Sequence, residues 1–349
     1  MPSLISDYIK ALKTEIYIRR NQLTDKYINT IYFGGGTPTM LEIDNIESIL
    51  AEIYKNYNIS EKAEITFEAN PENLNDQYLR KLKKIGINRL SIGIQSFDDI
   101  TLKFLKRRHD SQKAIESVLH AAECGFDNIS IDLIYGITGI DNQMWERQLD
   151  IAFSLPISHL SCYCLGIEHN TLLYRYTTEG KYIPTDEDNC LHQFLTFHQK
   201  VNKNDFEHYE ISNASKRNMH SRHNSSYWNR TEYLGFGPGA HSYYNGYRTW
   251  NIANVKEYIR CISKLESCST SEKLSETDIF EETIMLGLRT SEGISIHEIG
   301  ERFGIEKANR ICETIKDLQP ELYMFDGNRF SLSPKGMFIS DNIIVTLMK

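Results

Sequence analysis

The chain has 349 residues, 40% of them apolar and 25% charged, with a formal net charge of −8. That composition suits one large globular domain plus a smaller one, or two similar domains, and excludes disorder as a description of the whole chain. The acidic balance weighs against a broad nucleic-acid surface, and no stretch approaches the roughly 18 apolar residues of a membrane-spanning helix.

The first segment, Ser3 to Arg20, spaces Leu4, Tyr8, Ala11, Leu12 and Ile16 as one face of an amphipathic helix. It carries Asp7 and Glu15 and no small-residue cleavage site, so no targeting role is expected of it. Short β-rich runs then alternate with amphipathic helices. The predicted strands are Thr30 to Phe33, Glu64 to Phe67, Arg89 to Ile92, Ile129 to Asp132 and His159 to Tyr163. The predicted helices between them are Asn45 to Tyr57, Asp76 to Ile85, Ser111 to Cys124 and Met144 to Phe153. Gly86 and Gly125 follow two of these helices as C-caps. Repeated βα units of this kind argue for a parallel sheet covered by helices.

Beyond residue 165 the pattern loosens. A helix from Asp188 to Val201 precedes a strand-like run at Glu207–Glu210 and a polar, aromatic and glycine-rich stretch from Ser221 to Tyr243. That stretch fits tight turns beside a pocket or a plain structural loop. After a helix at Val255 to Leu265, residues 266–276 read as a polar linker. Three further helices and a hairpin turning at Asp326-Gly327-Asn328 then resemble a winged-helix module, but 14 acidic against 9 basic residues in 271–349 speak against DNA.

Polar groups gather where the predicted strands end. Gly34-Gly35-Gly36-Thr37, Glu68, Gln95 and Asp132 all fall there, which favours a barrel with one mouth over an open doubly wound sheet. The glycine run offers backbone N–H groups to a carboxylate or phosphate; it matches neither the phosphate-loop nor the dinucleotide fingerprint. Glu68 suits an amine or a ribose diol, and Arg107 a carboxylate. Seven thinly spread cysteines, with no three- or four-cysteine motif among them, read as reduced thiols in a cytoplasm.

These residues resemble one family. The stretches IYFGGGTPT (Ile31–Thr39), ITFEANPENL (Ile65–Leu74), INRLSIGIQSFDD (Ile87–Asp99), LKRRHD (Leu105–Asp110), NISIDLIYGI (Asn128–Ile137) and HLSCYCLGIE (His159–Glu168) carry the likeness. HYEISN (His208–Asn213), SRHNSSYW (Ser221–Trp228) and YLGFGPGAHSY (Tyr233–Tyr243) extend it. The chain is similar to radical-SAM, oxygen-independent coproporphyrinogen III oxidase-like proteins, above all their shorter haem-chaperone branch. The resemblance implies a partial (β/α)6 TIM-like barrel at 1–170, an extension at 171–270 and a winged-helix-like module at 271–349. It implies S-adenosylmethionine contacts at Gly35, Gly36, Thr37, Glu68, Gln95, Arg107 and Asp132, with Cys164 near a further one.

The family also carries a first strand and a Cys-x-x-x-Cys-x-x-Cys loop whose thiolates hold a [4Fe-4S] cluster, and none of the seven cysteines here reproduces that spacing. The barrel is therefore expected without its first strand, and the chain without metal ligands, catalytic residues or radical chemistry. The function expected is that of a haem chaperone or haem-binding protein that, at full length, binds the cluster and S-adenosylmethionine. A degenerate non-catalytic haem binder and a coproporphyrinogen oxidase of porphyrin biosynthesis are the alternatives. Haem or porphyrin, and a protein that receives it, are the expected partners; His220, His223 and His241, with Cys164 behind them, are the possible axial ligands.

Overall fold

In the computed structural model, residues 2–25 and 27–348 are described, the side chains of Pro2 and Ser3 excepted; Met1, Lys26 and Lys349 lie outside. Five parallel strands follow one another in sequence order: β1 (Tyr27–Phe33), β2 (Asn58–Ala69), β3 (Arg89–Gln95), β4 (Asn128–Tyr135) and β5 (His159–Cys164). Beyond β5 the sheet gains an antiparallel pair, β6 (Phe206–Glu210) and β7 (Asn213–Lys216), in the order β1-β2-β3-β4-β5-β7-β6. This is the curled, open sheet of a partial barrel, as the polar strand ends led us to expect. Residues Arg89 to Ile94 are all buried, the mark of a parallel strand covered on both faces.

The covering helices start and stop where local chemistry dictates. Asn75, Asp98, Asp110 and Asp141 each accept a backbone N–H two or three residues into a helix. Gly86 and Gly125 take left-handed φ values of 100° and 86°. Around them Ile87 N donates to Leu82 O and Phe126 N to Ala121 O, both at 3.1 Å, which closes two Schellman caps and turns each helix into the next strand.

Period-two alternation sorts the strands into an apolar outer face and a polar inner one. Phe67, Leu90, Ile92, Ile129, Ile131 and Leu160 form one core with Leu79, Val118, Trp145 and Leu149 of the helices. Two registered pairs, Thr66 with Arg89 and Ser130 with His159, form a polar layer inside the curl. His159 Nδ1 meets Ser130 Oγ at 2.7 Å and its Nε2 meets Tyr209 OH at 2.8 Å, while the Arg89 guanidinium is buried beside them. Burial and the Arg89 charge both drive the His159 pKa down, so this ring stays neutral.

The segment after β7 is a second, antiparallel sheet rather than loose loop. Strands β8 (His241–Tyr244) and β9 (Tyr247–Asn251) form a hairpin through Asn245 and Gly246 at φ 52° and 73°, and β10 (Ser269–Lys273) pairs with β9. The polar run 266–276 is thus no linker: its middle, Ser269–Lys273, is an exposed edge strand, whose Ser, Thr, Glu and Lys residues hid it from a hydrophobicity pattern. The glycine-rich turn before β8 docks on the N-terminal helix Pro2–Ile18 through Glu15. That buried carboxylate accepts from Arg19 Nη1 (2.8 Å) and Asn251 Nδ2 (2.7 Å) on one oxygen, and from Tyr258 OH (2.6 Å) and Gly237 N (2.9 Å) on the other. Of the two readings open for this segment, Gly235 to Ser242 fits the structural one.

Residues 276–348 hold helices Glu276–Leu288, Ile296–Phe303 and Ile305–Lys316 with a three-stranded sheet. Its strands, β11 (Ile294–Ser295), β12 (Tyr323–Phe325) and β13 (Arg329–Leu332), pair in the order β11-β13-β12. Helix, strand, two helices and a hairpin make the winged-helix-like arrangement, closed by two further helices, Pro334–Phe338 and Ser340–Met348. It joins the barrel at the β6 end, where Ile211 N donates to Arg289 O and Ser291 N to Tyr209 O, each at 3.0 Å. Among the described residues no helix is long and apolar enough to cross a membrane.

Candidate functional site

At the end of β1 the chain turns through three glycines into a short 3-10 helix, Pro38–Met40. Gly35 sits at φ 75°, and its N–H donates to Glu68 Oε2 at 3.2 Å. The other oxygen of Glu68 accepts from Tyr32 OH at 2.7 Å, so one carboxylate fixes both strand and loop. Burial and the adjoining Glu68 keep the Tyr32 hydroxyl protonated far above its ordinary range. A Cβ on Gly34 would strike the Tyr32 ring and the Glu68 carboxylate, whereas one on Gly35 or Gly36 would meet nothing within 4 Å. The outer side of the loop is therefore bare backbone with room for a ligand.

Two strands on, Gln95 ends β3 at φ 70°, and the register with β4 slips between Ile92 and Gln95. A left-handed glutamine is strain held by its surroundings, of the kind that gathers at binding sites. Its amide lies over Gly93, where a Cβ would come within 2.9 Å of Nε2. Arg107 Nη2 donates to Asn70 Oδ1 at 2.7 Å and to Gly93 O at 2.9 Å, while its buried Nε has no partner. Asp132 accepts from Ser161 and, at 3.5 Å, from Ser91 Oγ. Burial nonetheless raises its pKa to about 6, and the nearby Glu68 charge adds to that.

The curl thus brings Gly35, Glu68 and Asp132 together, and Gln95 and Arg107 meet over Gly93. Thr37 stands exposed at the start of the 3-10 helix, its carbonyl accepting from Met40 N at 2.9 Å. Cys164 groups instead with Tyr135, Gly136 and Cys190. Sequence reasoning missed Tyr32, Asn70 and Arg89; the alternation of β1 and the Asn-Pro exit after β2 were the available signals for the first two.

This set of groups fits S-adenosylmethionine in kind: a glycine cradle a Cβ would fill, carboxylates for an amine or diol, and an orphaned guanidinium N–H for a carboxylate. It does not fit an iron–sulfur cluster. Among the described residues no group of three or more His, Cys, Asp or Glu side chains could hold a metal.

Of the possible haem ligands, His223 lies against the edge strand of the barrel, on the helix Arg222–Trp228. Glu64 anchors that helix by accepting from Arg222 N (3.1 Å) and His223 N (3.0 Å). The His223 ring stacks on Tyr32 with centroids 4.6 Å apart. Its Nδ1 meets Thr30 Oγ1 at 3.2 Å and its Nε2 meets Tyr227 OH at 2.9 Å. Burial, aided by Arg89, lowers its pKa to about 4, so the ring is neutral at ordinary pH. His220 is tied to Glu207 at 3.1 Å and stacked on Tyr209, and His241 is exposed over Trp250.

Comparison with known proteins shows the family and the fold. The Radical SAM superfamily model matches residues 11–151, and the HemN C-terminal domain model matches residues 274–339. The heme chaperone HemW of Bacillus subtilis is 34% identical over 90% of this chain and 83% of its own. The mitochondrial radical S-adenosyl methionine domain-containing protein 1 of Danio rerio is 29% identical over 96% of this chain and 78% of its own. The solved structure of Escherichia coli coproporphyrinogen III oxidase (HemN), described as a radical SAM enzyme, superposes with a TM-score of 0.82 at 20% identity, over 98% of this chain and 82% of that one.

Proposed function

We propose that this chain, which belongs to the heme chaperone HemW family of radical SAM proteins, holds haem through His223 beside a site for S-adenosylmethionine. The observation that carries the reading is the His223 ring itself: neutral, set by Thr30 and stacked on the same Tyr32 that braces the Glu68 cradle. The Thr30 contact fixes the ring through Nδ1, which leaves Nε2 to exchange the exposed Tyr227 hydroxyl for iron. S-adenosylmethionine, when bound, supplies an activated sulfonium. The chain's own part is to bind its methionyl end along Gly35 and Gly36, beside Thr37. Arg107 and Gln95 face the carboxylate, Glu68 and Asp132 face amine or hydroxyl groups, and Cys164 borders the adenosyl end. The units 1–170, 171–270 and 271–349 divide this work into cofactor barrel, haem-facing extension and docking module, the last suited to a protein that takes the haem.

Titrating the purified chain with ferric haem should give a single saturable Soret change. A linear, unsaturable rise would refute haem carriage. The cofactor site has its own test in Gly36, where a Cβ would meet nothing within 4 Å. Gly36→Ala should leave the unfolding free energy within about 1 kcal/mol of the parent while weakening S-adenosylmethionine binding by calorimetry roughly tenfold or more, since a one-methyl clash in a packed site costs about 1–3 kcal/mol. Unchanged affinity would remove the glycine loop from the site.

A further inference from the structure

Cys164, which borders the proposed adenosyl end, meets a second cysteine, Cys190, that neither sequence spacing nor the proposed function requires. Cys164 is the last residue of β5 and is exposed; Cys190 lies in the first turn of the helix Glu187–Lys203 and is buried. Their sulfurs flank Gly136, lying 3.0 and 3.1 Å from where its Cβ would stand. The Cys190 thiol donates to Thr185 O at 4.0 Å, and the Tyr135 side chain adjoins both cysteines. Gly136, at φ 75°, is held by Gln193 Oε1, which accepts its N–H at 2.8 Å. A cavity of about 500 Å³ opens onto both sulfurs between the barrel and the C-terminal module, with Tyr182, Arg289 and Phe338 in its wall. No other side chain at position 136 would leave both thiols in place.

We propose that Cys164 and Cys190 are a thiol-modification site, a dithiol that closes to a disulfide by exchange with a low-molecular-weight disulfide such as oxidised glutathione. The Cys164 thiolate attacks one sulfur of the reagent, forming a mixed disulfide and releasing the first glutathione thiolate. Cys190 then loses its proton and attacks Cys164 sulfur, releasing the second. The two protein thiols lose two electrons and two protons, and the reagent gains them as two molecules of reduced glutathione. Cys164 acts first because it is the exposed sulfur, whereas Cys190 is buried. Burial pushes both thiols up, Cys190 to about 12, so exchange accelerates as pH rises above neutrality. The bond pins the end of β5, at the mouth of the barrel, to the helix beneath the cavity.

The test incubates the intact chain anaerobically with oxidised glutathione, alkylates it under denaturing conditions and maps the peptides by mass. The expected product is a Cys164–Cys190 linked peptide, two hydrogens lighter, formed equally in a Cys261→Ser background. Cys190→Ser should trap a glutathione adduct on Cys164, and Cys164→Ser should leave Cys190 fully alkylated. Both thiols remaining alkylated in the parent, either one linked to another cysteine, or an adduct on Cys190 in Cys164→Ser would overturn the assignment.

Discussion

Replacing Glu15 with alanine is expected to lower the unfolding free energy by about 3–5 kcal/mol, the usual cost of breaking a buried ion pair on one side. The carboxylate is 2% exposed and receives four hydrogen bonds from residues as distant as Tyr258. Its loss would strand the buried Arg19 guanidinium, which would keep Gly235 O at 2.7 Å and Ser242 Oγ at 2.8 Å but no countercharge. Three groups aimed at the carboxylate, the Gly237 N–H, the Asn251 amide and the Tyr258 hydroxyl, would lose it as acceptor. Glu15→Gln keeps the shape and loses the charge, so its cost should fall between parent and alanine. Urea denaturation followed by circular dichroism reads the difference. A Glu15→Ala midpoint equal to that of the parent would show that the glycine-rich turn does not depend on the N-terminal helix.

His223→Ala should weaken haem binding at least about tenfold, the lower bound seen even for residues that merely orient a metal ligand. His220→Ala and His241→Ala should stay within about twofold, as surface substitutions do, because His220 is committed to Glu207 and Tyr209 and His241 is exposed. The pH dependence follows from the sign of the shift. The folded pKa of His223 lies near 4, below the ordinary value of 6.5, so the neutral ring persists as the pH falls through 6.5. Its contribution to folding is complete above that ordinary value and is lost as the pH drops through about 4. Haem affinity should accordingly be flat from about pH 8 to 5, where an unshifted histidine would already be losing its ligand form. A fall in affinity centred near 6.5, or full affinity in His223→Ala, would assign the ligand elsewhere.

The parallel barrel was legible because its strands are apolar runs punctuated by capping residues and by Gly86 and Gly125. The strand-end polar groups were legible because only a mouth collects them. The antiparallel sheet was missed for opposite reasons at its two ends. The edge strand Ser269–Lys273 is polar on both faces and carries no burial pattern. The hairpin at Asn245-Gly246 announced itself by a strong turn pair, but its strands are only four and five residues long and rich in tyrosine and polar groups. Arg89 was read only as the start of a strand. Nothing in its neighbours tells that the curl seals its guanidinium beside His159, and that knowledge comes from tertiary structure alone. The meeting of Cys164 with Cys190 is of the same kind, since 25 residues, among them the helix Leu172–Thr178, lie between β5 and the second thiol.

In the proposed function this chain carries the cofactor cradle and a haem ligand, while its described residues offer no place for an iron–sulfur cluster. The most direct measurement is anaerobic reconstitution of the 349-residue chain with iron and sulfide, desalting, and analysis of what it retains. The predicted result is no stoichiometric iron or sulfide, no cluster absorbance and no reductive cleavage of S-adenosylmethionine, in protein that still gives a saturable Soret change with haem. Retention of stoichiometric iron and sulfide, with cleavage that depends on the chain's cysteines, would contradict it.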